Sequence, residues 1–234
     1  MSKKKSLAEN QPLVSIILCT YNRAHLVTRA IASVLIQSHR NWELIILDDG
    51  SADETAQLVL PIVKTDSRIS YLYHANKGLA HSRNAGMGIA EGHYITFIDS
   101  DDEYREDHLA VRVRLIEKRG SPALLYGGIE YVGPAEKQYV PDALHPGRKI
   151  HLSKCYAGGT FFARASVFKK FLGFRDLPFA GDFDLIQRMR KRGLKVADVK
   201  VPTYRYHLET DHRLCDLYDR GGEKAVLEYR RGMP

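Results

Sequence analysis

The 234-residue sequence predicts an α/β fold: a mostly parallel sheet with helices on both faces, fused to a second half of mixed topology. Two observations carry this prediction. Short, nearly continuous apolar runs of strand length alternate with stretches of helical apolar spacing, and polar, acid-rich clusters follow the runs directly. With 44% hydrophobic and 27% charged residues, the chain can bury a sizeable core in one or two domains.

Residues 14–19 (VSIILC) form the apolar run of a strand covered on both faces. Over residues 24–37, Leu26, Val27, Ala30, Ile31, Val34 and Leu35 recur at helical spacing, and residues 43–47 (ELIIL) are a second buried run. Together they make one βαβ unit. The rhythm continues with a helix from about residue 53, a strand at 69–73, a helix over 78–91 and a strand at 94–98. After residue 107 a helix is expected to reach 118 and stop at Gly120-Ser121-Pro122, with a strand over 123–131 beyond it. Residues 133–150 hold Pro134, Pro141 and Pro146 and read as a long surface loop, a candidate lid or binding segment. A strand at 160–163, a helix over 182–191 and a strand at 196–206 complete the body. Residues 211–231 read as a helical tail broken at Gly221-Gly222.

Three cysteines, Cys19, Cys155 and Cys215, are too few and too scattered for a disulfide framework or a cysteine zinc site, and the cytosol is the expected compartment. No run approaches the ~18 apolar residues of a spanning helix, and Lys3, Lys4 and Lys5 are not followed by a signal-peptide core. Charge is unevenly placed: residues 1–110 balance at −3 and residues 111–234 at +10, within a net charge of +7. A basic second half attracts nucleic acid, anionic membrane or a phosphorylated substrate, and charge alone does not choose among them.

In an open parallel sheet, ligands sit beyond the carboxyl ends of the strands. Here those ends deliver Thr20-Tyr21-Asn22-Arg23, Asp48-Asp49-Gly50-Ser51 and Asp99-Ser100-Asp101-Asp102. Carboxylates gathered on one rim repel one another unless a cation or hydrogen-bond donors offset them. The Asp99-x-Asp101 pair suits Mg²⁺ or Mn²⁺, ions held by one or two carboxylates with sites left for water and substrate phosphates. The same string also serves as a turn or helix N-cap. No G-x-G-x-x-G follows the first run and no phosphate-binding G-x-x-x-x-G-K-[ST] occurs, which weighs against dinucleotide oxidoreduction and P-loop hydrolysis. Tyr21 is able to stack on a base and Asp49 to accept a hydrogen bond from its edge.

Four stretches, VSIILCTYN from Val14, LDDGSADET from Leu47, NKGLAHSRNAG from Asn76 and GHYITFIDSDD from Gly92, resemble family two inverting nucleotide-sugar glycosyltransferases. The resemblance covers roughly residues 12–210. It implies the glycosyltransferase A fold, with a nucleotide-sugar-binding half (12–104) joined without a linker to an acceptor half (105–210), flanked by a disordered basic N-terminus (1–11) and a helical tail (211–234). By position it implies that Thr20, Tyr21, Asn22 and Asp49 hold the nucleoside of a UDP-sugar, that Arg83 lies close by, and that Asp99 and Ser100 meet the ribose side. Asp101 would coordinate Mn²⁺ or Mg²⁺ on the diphosphate, with Asp99 beside it and His207 as a third ligand. His207 is also read as an ordinary surface residue, and the neighbouring Arg205 as a diphosphate contact.

The family carries a Glu-Asp pair at the start of a late helix, where this chain reads Gly181-Asp182-Phe183-Asp184-Leu185. Asp182 aligns with the catalytic base and Gly181 replaces the glutamate. Local sequence alone equally suits a helix cap at Asp182 and a solvent-facing or ion-paired arginine at Arg83. The implied reaction is sugar transfer with inversion to a glycan or lipid-linked acceptor, in the cytoplasm with peripheral contact at the inner membrane face, and without a nucleic-acid partner. Two rivals stand beside it. One is a nucleotidyltransferase making a nucleotide sugar; the other is an inactive module binding nucleotide sugar or nucleic acid.

Overall fold

The computed structural model describes residues 11–231 apart from 119, 143, 146, 171, 172, 211 and 212, so the expected basic N-terminus, save residue 11, lies outside the described residues. Ten strands are described: β1 (Val14–Thr20), β2 (Trp42–Asp48), β3 (Ile69–Tyr73), β4 (Tyr94–Asp99), β5 (Glu103–Tyr104), β6 (Leu124–Val132), β7 (Tyr139–Pro141), β8 (Lys149–His151), β9 (Phe162–Arg164) and β10 (Val196–His207). The α-helices are α1 (Ala24–Leu35), α2 (Thr55–Val63), α3 (Leu79–Ile89), α4 (His108–Ile116), α5 (Ala165–Lys170), α6 (Gly181–Lys191) and α7 (Leu214–Arg230). Eight strands form one sheet in the order β3-β2-β1-β4-β9-β6-β10-β5. β1 to β4 are parallel, β9 runs antiparallel to both β4 and β6, and β10 runs parallel to β6.

Alternation along the strands explains the two cores. Ile16, Leu18, Leu44 and Ile46 pack with Val27, Ile31 and Val34 of α1, while Ile17, Ile45, Leu47 and Phe97 pack with Ala80 and Met87 of α3 on the opposite face. Gly86 lets α3 lie close to the sheet, since a Cβ there would stand 2.8 Å from Ile17 Cγ2. The parallel register brings the polar strand ends together: Thr20 is opposite Asp48, and Cys19 is opposite Asp99.

Two expectations need correction, and one helix was not expected. Residues 133–150 are not a plain loop: a 3₁₀ turn (Ala135–Gln138) leads into the β7–β8 hairpin, because Val140 buries against Leu152 and Leu208 with Ile150 packed alongside. The strand expected at 160–163 begins only at Phe162, since Gly158–Thr160 form a 3₁₀ turn before it. Helix α5 follows directly, without a sequence signal strong enough to predict it.

Candidate active site

Strand register sets one side of a cleft of about 420 Å³, lined there by Thr20, Tyr21, Asp49, Asp99, Ser100 and Asp101. Asp49 is 5% exposed. Its Oδ1 accepts from the backbone N–H of Lys77 (2.7 Å) and its Oδ2 from that of Gly78 (2.9 Å). Burial raises its pKa and these two N–H groups oppose the rise. Gly78 adopts φ 90°, the left-handed region that favours glycine, which turns its N–H toward Asp49 at the start of α3. Asn22 does not line the cleft: its N–H donates to Ser51 Oγ and its Oδ1 accepts from Ala52 N, so it splices the loops after β1 and β2.

Arg83 occupies the floor. It is 4% exposed, and Nη1 donates to Asp182 Oδ1 (2.8 Å) while Nη2 donates to Asp99 Oδ1 (2.9 Å). Burial opposes its charge, but Asp182 and Asp99 more than offset that and raise its pKa. The guanidinium also lies over the rings of Phe174 and Phe97, 5.0 and 5.6 Å from their centroids. The solvent-facing reading of this residue is therefore wrong and the ion-paired one right.

Asp182 accepts a second bond at Oδ2 from Gly158 N (2.8 Å). It is not the cap of α6: Ala180 stands at that position and Asp182 lies in the first turn. Burial raises its carboxyl pKa, with Arg83 pulling it down and Asp99 pushing it up. The glycine pair is sterically required, because a Cβ on Gly158 would overlap Asp182 and Arg83, and one on Gly159 would overlap the Tyr204 hydroxyl. Cys19 also lines this floor, but burial pushes its thiol up to about 12, which leaves it no thiolate to act as a nucleophile.

The turn after β4 is held from below. Tyr204 of β10 donates its hydroxyl hydrogen to Asp102 Oδ2 (2.7 Å), and the Asp99 N–H points at the same hydroxyl (3.3 Å). Asp102 Oδ1 accepts from His207 N (2.9 Å), so Asp102 is a buried post for the turn. Asp101 Oδ2 accepts from the Thr210 hydroxyl (3.0 Å), and Arg29 donates to the Asp101 carbonyl. The His207 ring is engaged by Glu103 Oε2 (2.9 Å) and is not among the described residues lining the cleft. Arg205, expected beside a diphosphate, instead points to Glu130 (3.5 Å).

Among the described residues, no three His, Cys, Asp or Glu side chains converge as a protein-only metal cage. The donor set after β4 fits a small hard divalent cation whose other positions are filled by water and a diphosphate, which needs only one or two carboxylates.

A family model described as glycosyl transferase family 2 matches residues 15–177. The chain belongs to glycosyl transferase family 2. A putative colanic acid biosynthesis glycosyl transferase of Escherichia coli K12 is 35% identical over 190 residues, covering 77% of this chain and 67% of that protein. An Escherichia coli UDP-Glc:alpha-D-GlcNAc-diphosphoundecaprenol beta-1,3-glucosyltransferase is 39% identical over 121 residues, covering 51% of this chain and 47% of that protein. The chain spans only 22% of a Rickettsia conorii glycosyltransferase to which it is 37% identical. Among solved structures, S. aureus TarS with UDP-GlcNAc superimposes with TM-score 0.70 at 18% identity, covering 93% of this chain and 65% of that one. The Pyrobaculum calidifontis mannosyltransferase with GDP-Man and Mn²⁺ gives 0.70 at 15% identity, covering 95% and 66%. These likenesses share the glycosyltransferase A fold, with its curled and mostly parallel sheet.

Sequence reasoning reached the acidic rim but missed what holds it. Tyr204 and Thr210 carry no motif, and the usable signal for Tyr204 was alternation along β10, where it is fully buried two residues before Tyr206. The C-terminal helix was read as a tail, yet Tyr229 and Arg230 line the same cleft.

Proposed function

We propose that this chain is a metal-dependent, inverting hexosyltransferase that moves a sugar from a UDP-sugar to a hydroxyl of a glycan or lipid-linked acceptor. The observation that carries the reading is the buried Arg83 fork, which joins an acid at the end of β4 to an acid at the start of α6 across one cleft. A donor and an acceptor bound on either side of that fork would meet over it.

Thr20, Tyr21 and Asp49 hold the nucleoside, with Asn22 fixing their loops, and Asp99 and Ser100 face the ribose. Asp101, with Asp99 beside it, would hold Mn²⁺ or Mg²⁺, and such an ion, when bound, neutralises charge growing on the departing diphosphate. Asp182 takes the proton from the attacking acceptor hydroxyl. Its two oxygens are oriented by Arg83 and Gly158 N, each with a lone-pair direction left for that proton. A raised pKa suits a base, because it strengthens the carboxylate's affinity for the proton it takes. Attack on the face opposite the leaving diphosphate inverts the anomeric carbon and needs this single base.

The acceptor side of the cleft adds apolar Leu152, Tyr156, Phe179 and Phe183 to cationic Lys154 and Arg175. That mixture favours a lipid-linked diphosphate acceptor, the kind for which the Escherichia coli glucosyltransferase relative is named. Work on such an acceptor fits peripheral contact at the inner membrane face. No helix among the described residues is long and apolar enough to cross a membrane.

The test is UDP release from a panel of UDP-sugars with Mn²⁺, with and without chelator, on wild type and Asp182→Asn. Transfer should require the metal, and the variant should keep UDP affinity while turnover falls by about 10²–10⁴-fold. Unchanged turnover in Asp182→Asn removes that residue from the chemistry.

A further inference from the structure

Helix α7 is interrupted: Gly221 (φ −153°, ψ 19°) and Gly222 (φ 62°, ψ −150°) leave helical geometry in its middle. The Gly222 conformation is essentially confined to glycine. The half before the break is tied to the acceptor side. Tyr218 stacks on Phe179 at 4.2 Å and 16°, and Asp219 pairs with Lys149 of β8 at 2.6 Å. The half after it crosses to the donor side, where Tyr229 meets Tyr21 edge-on with centroids 5.6 Å apart.

Arg230 completes the crossing. Its guanidinium lies so near Gly78 that a Cβ there would be 3.4 Å from Arg230 Cζ, and Gly78 N is one of the two donors holding Asp49. Nη1 is latched to Asp176 (3.1 Å) and Nη2 to the Leu177 carbonyl (3.0 Å), and the side chain is 18% exposed. A guanidinium has five N–H donors and those bonds engage two of them. Arg83 already serves two carboxylates, whereas Arg230, one of several arginines lining the cleft, lies against Gly78 beside Asp49.

Resting on the donor reading above, we propose that the segment after the glycine break is a hinged wall of the nucleotide subsite, with Tyr229 and Arg230 as donor-binding residues. Tyr229 closes on the nucleoside beside Tyr21. Arg230 donates to a carbonyl of the base edge while Asp49 accepts the neighbouring ring N–H. A uracil edge offers that acceptor–donor order and a cytosine edge does not, so the pair selects uridine nucleotides. The hinge lets the wall lift for entry without disturbing the half packed on Phe179.

Calorimetric titration of the full chain with UDP, UMP and CDP tests this without turnover. Wild type should prefer UDP to CDP. Arg230→Ala should weaken UDP and UMP equally, by about tenfold, the loss of one hydrogen bond to a charged donor, and erode the preference over CDP. Arg230→Lys should recover part of the affinity, and Tyr229→Ala should cost several-fold, with the melting temperature of each variant confirming a folded chain. UDP binding unchanged in both Arg230→Ala and Tyr229→Ala overturns the proposal, and a loss confined to UDP overturns the base-edge placement. If wild type binds none of these nucleotides, the donor reading itself fails and takes this wall with it.

Discussion

The two sides of the cleft, which the proposed function assigns to donor and acceptor, are built by different means. On the donor side, three parallel strands end together, so the backbone ladder sets Thr20 beside Asp48 and Cys19 beside Asp99. On the acceptor side the acid is carried by a helix and not by a strand end. Asp182 is placed by a glycine turn, a guanidinium and the first turn of α6, elements far apart in sequence. The difference teaches that donor geometry should be robust to single substitutions, whereas the acceptor-side base should be fragile.

The sharpest way to break that comparison is Gly158→Ala. One methyl group would intrude between Asp182 and Arg83, and their joint displacement by about 1 Å is enough to cost ~10²-fold in turnover. UDP affinity should hold, since Asp49 and Tyr21 are untouched. A variant with full turnover would mean that the acceptor side tolerates movement the packing forbids, and a variant that lost UDP affinity equally would dissolve the distinction between the sides.

Arg83→Met probes the link itself. As the proposed base, Asp182 would act only when ionised, so activity should be present above its pKa and lost as pH falls through it. Burial raises that pKa and Arg83 lowers it, so removing the guanidinium raises it further. The acid limb of the kcat profile should move to higher pH in Arg83→Met and return toward wild type in Arg83→Lys. An unmoved limb would show that Arg83 only packs against Phe97 and Phe174.

The same contrast explains what was legible in the sequence. Buried parallel strands announce themselves as apolar runs, and polar residues beyond them fall on one rim by topology, so Thr20, Asp49, Asp99 and Asp101 could be read directly. The hairpin at 139–151 hid behind prolines because its burial depends on Leu208, more than fifty residues away. Asp182 was found through the family resemblance, but its contacts with Arg83 and Gly158 are long-range and leave no local pattern. The wall made by α7 was invisible for the same reason: Gly221-Gly222 reads as a break, and only the fold shows that the chain beyond it turns back onto Tyr21.

The smallest effect should come from the donor side. Asp48 is fully buried behind Asp49, accepting from the Tyr71 hydroxyl and from Ser51 N. Tyr71→Phe removes one of those donors and should cost about 1 kcal/mol of stability, read as a lower denaturant midpoint at unchanged slope. Nucleotide affinity and turnover should stay at wild-type values, because the β1–β2 register and the N–H groups of Lys77 and Gly78 hold Asp49 whether or not Asp48 keeps that bond. A drop in UDP affinity larger than the stability loss would mean that the ladder does not fix the rim by itself. The donor side would then depend on side-chain struts as the acceptor side does.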